Sequence, residues 1–301
     1  MASDDAYSPD NLGMPLFLLV SMLANAVFIS RACKDVCGRD RPIERGPAIA
    51  LLTCAISELT WVVPCFIQCA MVYFMGHGGR WSPTHRTGCD IMGFYSQFGS
   101  LCSMLATLLV AVITCKAAFN KRLPSKRVVL AASVSIFTFC TVISLLPIVG
   151  ATKPYALTDG GFCYIDWFDT PQAVIMLIVC LPTMAAVLAL FGRAFRGEWE
   201  KKLDLLLLVL GFLSAWVLWP PAGFIGLAGG SFPAYYMIAG GVAGHAQALI
   251  NPYIYGMRWR EAMCRQSGLP SSELAKKVAT ELTAQEEAVG ETPPTSSLVS
   301  Q

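Results

Sequence analysis

The chain has 301 residues, 55% of them hydrophobic and only 14% charged, with a formal net charge of +2. A water-soluble domain of this length carries roughly 25% charged residues, so the composition excludes an ordinary soluble enzyme. The net charge says little in itself; its placement says more.

Residues 11–30, 46–57, 59–79, 91–115, 128–152, 170–192 and 205–257 contain no Asp, Glu, Lys or Arg. About 20 mostly apolar residues cross a bilayer as a helix. The two stretches flanking Glu58 form one span with a single buried acid, and 205–257 divides at the turn signal Gly229-Gly230-Ser231-Phe232-Pro233. Seven spans are therefore predicted, at about 12–31, 46–75, 87–118, 127–150, 170–195, 203–228 and 233–256. Alternate loops are basic: 31–45, 116–127, 193–204 and the start of the tail at Arg258 and Arg260, whereas Asp4, Asp5 and Asp10 lie at the opposite end. By the positive-inside rule the amino terminus is outside and the tail inside. Residues 1–13 do not read as a cleavable signal peptide, and no Asn-x-Ser/Thr sequon occurs. There is no repeat of the kind that builds transporters from duplicated halves.

Of the twelve cysteines, only Cys89 and Cys163 are expected on the oxidising side, where a bridge between them would pin the fourth-to-fifth-span loop over the bundle mouth. The last span ends in Asn251-Pro252-Tyr253-Ile254-Tyr255. Proline breaks the helix ladder and an amide in hydrocarbon needs an internal partner, so this stretch reads as a buried hinge.

Seven spans, this orientation, one outer disulfide and Asn-Pro-x-x-Tyr together resemble the rhodopsin-like (class A) G-protein-coupled receptors over roughly residues 12–266. Asn25, Glu58 (where the family usually has Asp), Cys89, Pro147, Pro182 and Trp219-Pro220-Pro221 fall at the family's landmarks. Within the family, Cys89-Asp90 through Cys115 and the loop Gly161–Ile165 are similar to prostanoid receptors, and Cys163-Tyr164-Ile165-Asp166 to opsins. The fold implied is all-α: residues 1–11 as a short extracellular start, a seven-transmembrane helix bundle over 12–256, a short amphipathic eighth helix over 257–266, and a cytoplasmic tail over 267–301.

The chain departs from the family at three places. The inner end of the third span reads Ile113-Thr114-Cys115 where the family has Asp/Glu-Arg-Tyr, Leu190 replaces a fifth-span Tyr, and Phe137 replaces a fourth-span Trp. The resemblance puts Thr114, Cys115 and Lys116 on the G-protein side, without the family's Arg. His245 stands where opsins keep the retinal lysine. A Schiff base needs an amine, so covalent retinal is excluded at that position.

Glu58 is the sole acid deep in a span, and such an acid is a functional candidate. With Asn25, Ser103, Gln247 and Asn251 it forms an expected polar cluster at the family's sodium-site positions; a sodium ion or a neutral, hydrogen-bonded Glu58 are the two readings. The expected ligand pocket comprises Trp61, Tyr95, Ser96, Gln97, Tyr164, Trp219, Tyr236 and His245, with Trp167 and Tyr235 at the mouth. It is aromatic and weakly polar, suited to a lipid or another largely apolar small molecule. His245 also reads as a satisfied core residue. Ser96 replaces the Asp of amine receptors. Arg80, Arg86 and Lys153 are loop cations able to attract a carboxylate. Pro182, Trp219, Pro221, Asn251, Pro252 and Tyr255 are the expected activation hinge. In the amphipathic helix, Trp259 and Met263 are expected to face lipid, Arg258, Arg260 and Arg265 the headgroups, and Cys264 is a palmitoylation candidate. The tail's serines and threonines offer arrestin-type phosphosites.

The reading is a plasma-membrane receptor, not an enzyme. It is expected to bind a small ligand in the outer half of the bundle and signal to a cytoplasmic partner, a heterotrimeric G protein. Nucleic-acid and metal partners are not expected, sodium aside. The alternative is a seven-span receptor-like protein without conventional G-protein coupling, followed by a transporter.

Overall fold

The structure, a computed structural model, describes residues 13–37, 44–75, 86–119, 121–157, 163–196, 202–230 and 234–261. Arg80, Met263, Cys264, Arg265, the amino-terminal residues 1–11, the tail from 267 and the side chain of Tyr235 lie outside the described residues.

Eight α-helices and a two-stranded hairpin follow in order: α1 Gly13–Cys37, α2 Arg45–Met75, α3 Arg86–Ala118, α4 Lys126–Leu145, β1 Ala156–Leu157, β2 Cys163–Tyr164, α5 Thr170–Phe195, α6 Lys202–Trp216, α7 Trp219–Leu227 and α8 Ala234–Tyr253. Six stretches, with α6 and α7 counted as one, are long and apolar enough to cross a bilayer. Helix α8, with 20 residues, is the seventh span and carries His245, Gln247 and Asn251. The chain is thus a seven-span helical bundle.

Its faces are sorted for lipid. On α1, Leu16, Val20, Leu23 and Val27 recur every three or four residues, and each is at least half exposed. The opposite face buries Ser21, Asn25 and Asp35 beside Leu18, Phe28 and Ala32. Polar groups inside and a bare apolar face outside suit hydrocarbon and would be costly in water. Helix α3 is the central post, packed against α2, α4, α5 and β2 and buried over most of its length.

Proline and glycine explain where the rods stop. The fourth span ends at Leu145, before Pro147, and Gly150 takes a left-handed conformation, φ 77°. Ala151 N–H then returns to the Leu146 carbonyl at 3.0 Å, closing the end as a glycine C-cap does. Asp169 stands at the N-cap position of α5 without a side-chain cap bond, and Pro171 lies in the first turn. In the sixth span Pro220 and Pro221 have no N–H for the carbonyls of Trp216 and Val217, and the helix breaks between α6 and α7 there. Two side chains donate to the carbonyls on either side of these: Trp219 Nε1 to the Ala215 carbonyl at 2.9 Å and Tyr236 Oη to the Leu218 carbonyl at 2.6 Å. Side-chain donors beside a break help a kinked helix persist in hydrocarbon.

Three expectations need correcting. The first span does not stop near residue 31; α1 continues to Cys37, because Arg31 and Lys34 project from a helix that still has a partner for Asp35. The last span passes through a π-helical turn, Ile254–Trp259, and stays helical to Glu261; the rest of the amphipathic helix expected over 257–266 lies outside the described residues. Trp259 does not face lipid: it is 1% exposed, and Arg260 is tied to Asp35 rather than directed only at headgroups.

Candidate functional site

Three groups of residues are stacked along the bundle axis. At the waist, Glu58 of α2 is buried and draws donors from two other helices onto one oxygen. Ser103 Oγ donates to Glu58 Oε1 at 2.5 Å, Asn251 Nδ2 at 2.7 Å and Gln247 Nε2 at 3.2 Å. Gln247 Nε2 also lies 3.2 Å from Ser103 Oγ. Asn25 joins from α1 by the backbone, donating through Nδ2 to the carbonyls of Ser21 at 2.8 Å and Ala248 at 2.7 Å. Three oxygens, Glu58 Oε2, Asn25 Oδ1 and Gln247 Oε1, meet no hydrogen-bond partner among the described residues. Buried acceptors without donors suit a small cation or an added proton. Tyr255, one turn beyond Asn251, is buried and hydrogen-bonds Thr107 of α3.

Towards the disulfide end, the loop between α4 and α5 drops into the bundle. Cys163 is bonded to Cys89 at the start of α3, with Cα atoms 5.2 Å apart. The hairpin pairs Ala156 with Tyr164 and Leu157 with Cys163. Tyr164 is buried; its hydroxyl lies 3.0 Å from Ser100 Oγ and its ring centroid 5.3 Å from that of Trp219. Trp167 stacks on Trp219 at 5.9 Å. Tyr155 Oη lies 2.6 Å from Gln97 Oε1 and 2.7 Å from the Ser144 carbonyl. Burial pushes the phenols of both loop tyrosines above the ordinary tyrosine range, so both remain neutral. Two glycines make room: a Cβ on Gly93 would meet the Tyr155 ring at 2.3 Å, and one on Gly226 the Trp167 carbonyl at 2.1 Å. A clasp holds the loop's rim. Asp166 N–H donates to Gln172 Oε1 at 2.9 Å, Gln172 Nε2 donates to the Lys153 carbonyl, and Lys153 Nζ pairs with Asp166 at 3.5 Å. Arg86 pairs with Asp90 at 3.8 Å.

The expected pocket residues thus divide. Trp219, Tyr164 and Gln97 meet around the loop. Trp61 and His245 form a second group with Trp216, at 4.9 Å between Trp61 and His245 and 5.9 Å between Trp61 and Trp216. His245 Nδ1 has no hydrogen-bond partner among the described residues, so its contact with Trp61 is one of packing. Ser96 faces Cys65 at 3.7 Å, and Tyr236 serves the sixth-span break. Tyr95 is a correction: it is 43% exposed. The inward face of α3 runs through Met92, Gly93, Ser96, Gln97 and Ser100, and the helical step of about 100° per residue carries Tyr95 off it.

At the basic end, Thr114 is fully buried. Its Oγ1 donates to the Val110 carbonyl at 2.8 Å and accepts from Trp259 Nε1 at 2.7 Å. Next to it Arg260 makes a two-pronged pair with Asp35, Nε to Oδ2 at 2.6 Å and Nη2 to Oδ1 at 2.9 Å. Cys115 is buried, whereas Lys116 is exposed. Sequence reasoning missed Ser100, Tyr155, Trp216, Asp35 and the role of Trp259. One signal was present for the last: 251, 255 and 259 are spaced by four, on one helix face.

No protein-family model matches the chain. It is similar to curated rhodopsins: that of Sargocentron microstoma, 24% identical over 236 residues, covering 68% of this chain and 66% of the relative; and that of Myripristis berndti, 23% identical over 272 residues, covering 77% and 76%. The match also covers 65% of the Zeus faber rhodopsin at 25% identity, so in two of the three the chain spans just under two thirds of the relative. The crystal structure of squid rhodopsin superposes with a TM-score of 0.63 at 13% identity, covering 84% of this chain and 82% of that one. The chain has the rhodopsin-like (class A) receptor fold. The resemblance to the rhodopsin-like class is borne out, as is the Cys89–Cys163 disulfide. The rhodopsin-like bundle is a multi-pass membrane structure.

Proposed function

We propose that the chain is a receptor of the rhodopsin-like class, oriented with its disulfide end outside. A small, largely apolar molecule acting at that end would bias two packings of the bundle, and a cytoplasmic partner would read the difference. The observation that supports this best is the placement of Trp219. It lies beneath the loop residues Tyr164 and Trp167 and opens α7 at the break in the sixth span. A change of contacts above it therefore acts directly on a hinge. The waist cluster lies between the two ends, and its three unpaired oxygens fit a sodium ion held by Glu58 with help from Asn25 and Gln247. We read no covalent retinal at His245. Cys264 remains a candidate for palmitoylation and the tail for an arrestin-like partner.

The test is guanine-nucleotide exchange on purified G proteins of each class, with the full chain in nanodiscs and a library of lipids and other apolar molecules. Ligand-dependent exchange is the expected result; silence across the panel with properly folded protein removes the coupling claim.

A second reading, a seven-span receptor-like protein without conventional G-protein coupling, is favoured by one contact. Where the family keeps an Arg, Thr114 is engaged by Trp259. Thr114→Arg separates the two readings: constitutive exchange in that variant means that only the switch residue was lost, and continued silence supports the second reading.

A further inference from the structure

We infer that the space above Trp219 is an aryl-alcohol site and that its resident occupant is the chain's own loop. The inference rests on reading the disulfide end as the ligand side, and it names the ligand chemistry. Tyr164 is buried to 2% exposure although it belongs to a connecting loop, and loops ordinarily run over a surface. It reaches in because its neighbour Cys163 is bonded to α3. Its phenol meets a specific set of groups. Ser100 Oγ takes or gives the hydroxyl hydrogen bond at 3.0 Å. Trp219 and Trp167 offer ring contacts at 5.3 and 6.2 Å, within the range of productive aromatic pairs. Two buried free cysteines, Cys65 and Cys180, also lie within reach of the phenol. None of these named neighbours carries a charge, so they offer a ring and a hydroxyl better partners than they offer an ammonium or a carboxylate. A neutral aromatic ring with one hydroxyl satisfies all of them. The backbone is shaped for the occupant: Gly93 and Gly226 lack the Cβ that would strike Tyr155 and the Trp167 carbonyl.

The consequence is competition. A residue held on a short tether acts at an effective concentration in the millimolar range, so an external aryl alcohol gains the site only when the loop releases it. Removing the tethered ring must then create a receptor for free phenols, as a dry engineered cavity accepts benzene.

The experiment uses full-length protein in nanodiscs, the variants Tyr164→Ala and Tyr164→Ala/Ser100→Ala, and p-cresol and toluene as probes, with thermal unfolding as readout. Binding to the folded state raises the melting temperature with ligand concentration. The expected result is a rise for Tyr164→Ala with p-cresol and none for the native chain. Toluene is expected to bind roughly fivefold more weakly, the worth of one hydrogen bond, and Ser100→Ala to erase that preference. Equal shifts in native and variant protein, or equal effects of the two probes on Tyr164→Ala, overturn the assignment. If Tyr164→Ala yields no folded protein, Trp167→Ala with indole carries the same test: stabilisation confined to the variant supports it, and its absence overturns it. The readout needs no signalling partner. Cresol binding without nucleotide exchange would leave the site standing and remove the receptor reading; exchange driven by lipids with no cresol rescue would do the reverse.

Discussion

Trp259 and Thr114 form a hydrogen bond of 2.7 Å between the inner end of the third span and the π-helical turn that follows the seventh. Both are buried, so each would be left with an orphaned polar atom if the other were removed. Trp259→Phe and Thr114→Val are each expected to cost about 1–3 kcal/mol. The double variant should cost little more than either single change, because the bond can be lost only once. Denaturant titration in mild detergent measures this; fully additive losses would mean that the two side chains act separately.

Asp35 and Arg260 make a second tie, between the first and seventh spans. Asp35→Ala removes the two-pronged acceptor of a guanidinium whose side chain is 24% exposed, so the loss should be about 2 kcal/mol, below the range of about 3–5 kcal/mol for fully buried pairs. Arg260→Lys should not preserve the tie, since a point-charge ammonium does not reproduce a two-pronged contact. Melting temperatures of the two variants within error of the native protein would show that the pair is incidental.

Glu58 Oε1 collects Ser103, Gln247 and Asn251. Glu58→Ala leaves three donors from two helices without their acceptor and is expected to lose roughly 3 kcal/mol or to fail to reach the membrane; Glu58→Gln, which keeps an acceptor oxygen, should lose less. If sodium is held there, sodium chloride will stabilise the native chain relative to choline chloride and will not stabilise Glu58→Gln. Identical salt responses of the two proteins would remove the ion from the proposal.

Gly226→Ala places a methyl group against the Trp167 carbonyl, a clash of backbone with side chain that rotamer changes cannot relieve. A loss of about 1–3 kcal/mol is expected, as for other overpacked sites. Gly192→Ala, with nothing within 4 Å of the new carbon, is the control and should gain up to about 1 kcal/mol from helix propensity. Similar melting temperatures for the two would mean that the loop is not seated against α7.

The seven spans were legible because each is a charge-free run near bilayer length, a constraint that leaves few alternatives. The waist cluster was legible in two ways: Glu58 is the sole acid deep in a span, and Ser103, Gln247 and Asn251 stand where the resemblance places the neighbours of that acid. The disulfide end was harder. Tyr155 and Tyr164 lie in a connection whose path is set by Cys163 and by the small residues Gly93 and Gly226, none of which follows a helical period. Tyr95 was misplaced because aromatic character alone does not fix a face. Trp259 was misread because basic neighbours suggested a headgroup-lying helix. Its fourfold spacing from Asn251 and Tyr255 carried the better answer, and the π-helical turn that brings it inward leaves no mark in composition.

The break between α6 and α7 has a mechanical corollary. Its exposed Leu218 carbonyl is held by Tyr236 of α8 at 2.6 Å, and Trp167 rests against Gly226 on the other flank of α7. The upper piece of the sixth span is therefore hitched to its two neighbours, while its own lower half is joined to it only through a gap in the ladder. A sideways push on the loop would be passed to the seventh span like a pull on a coupled lever, while the lower half of the sixth is held separately by its own packing against α8 and α5.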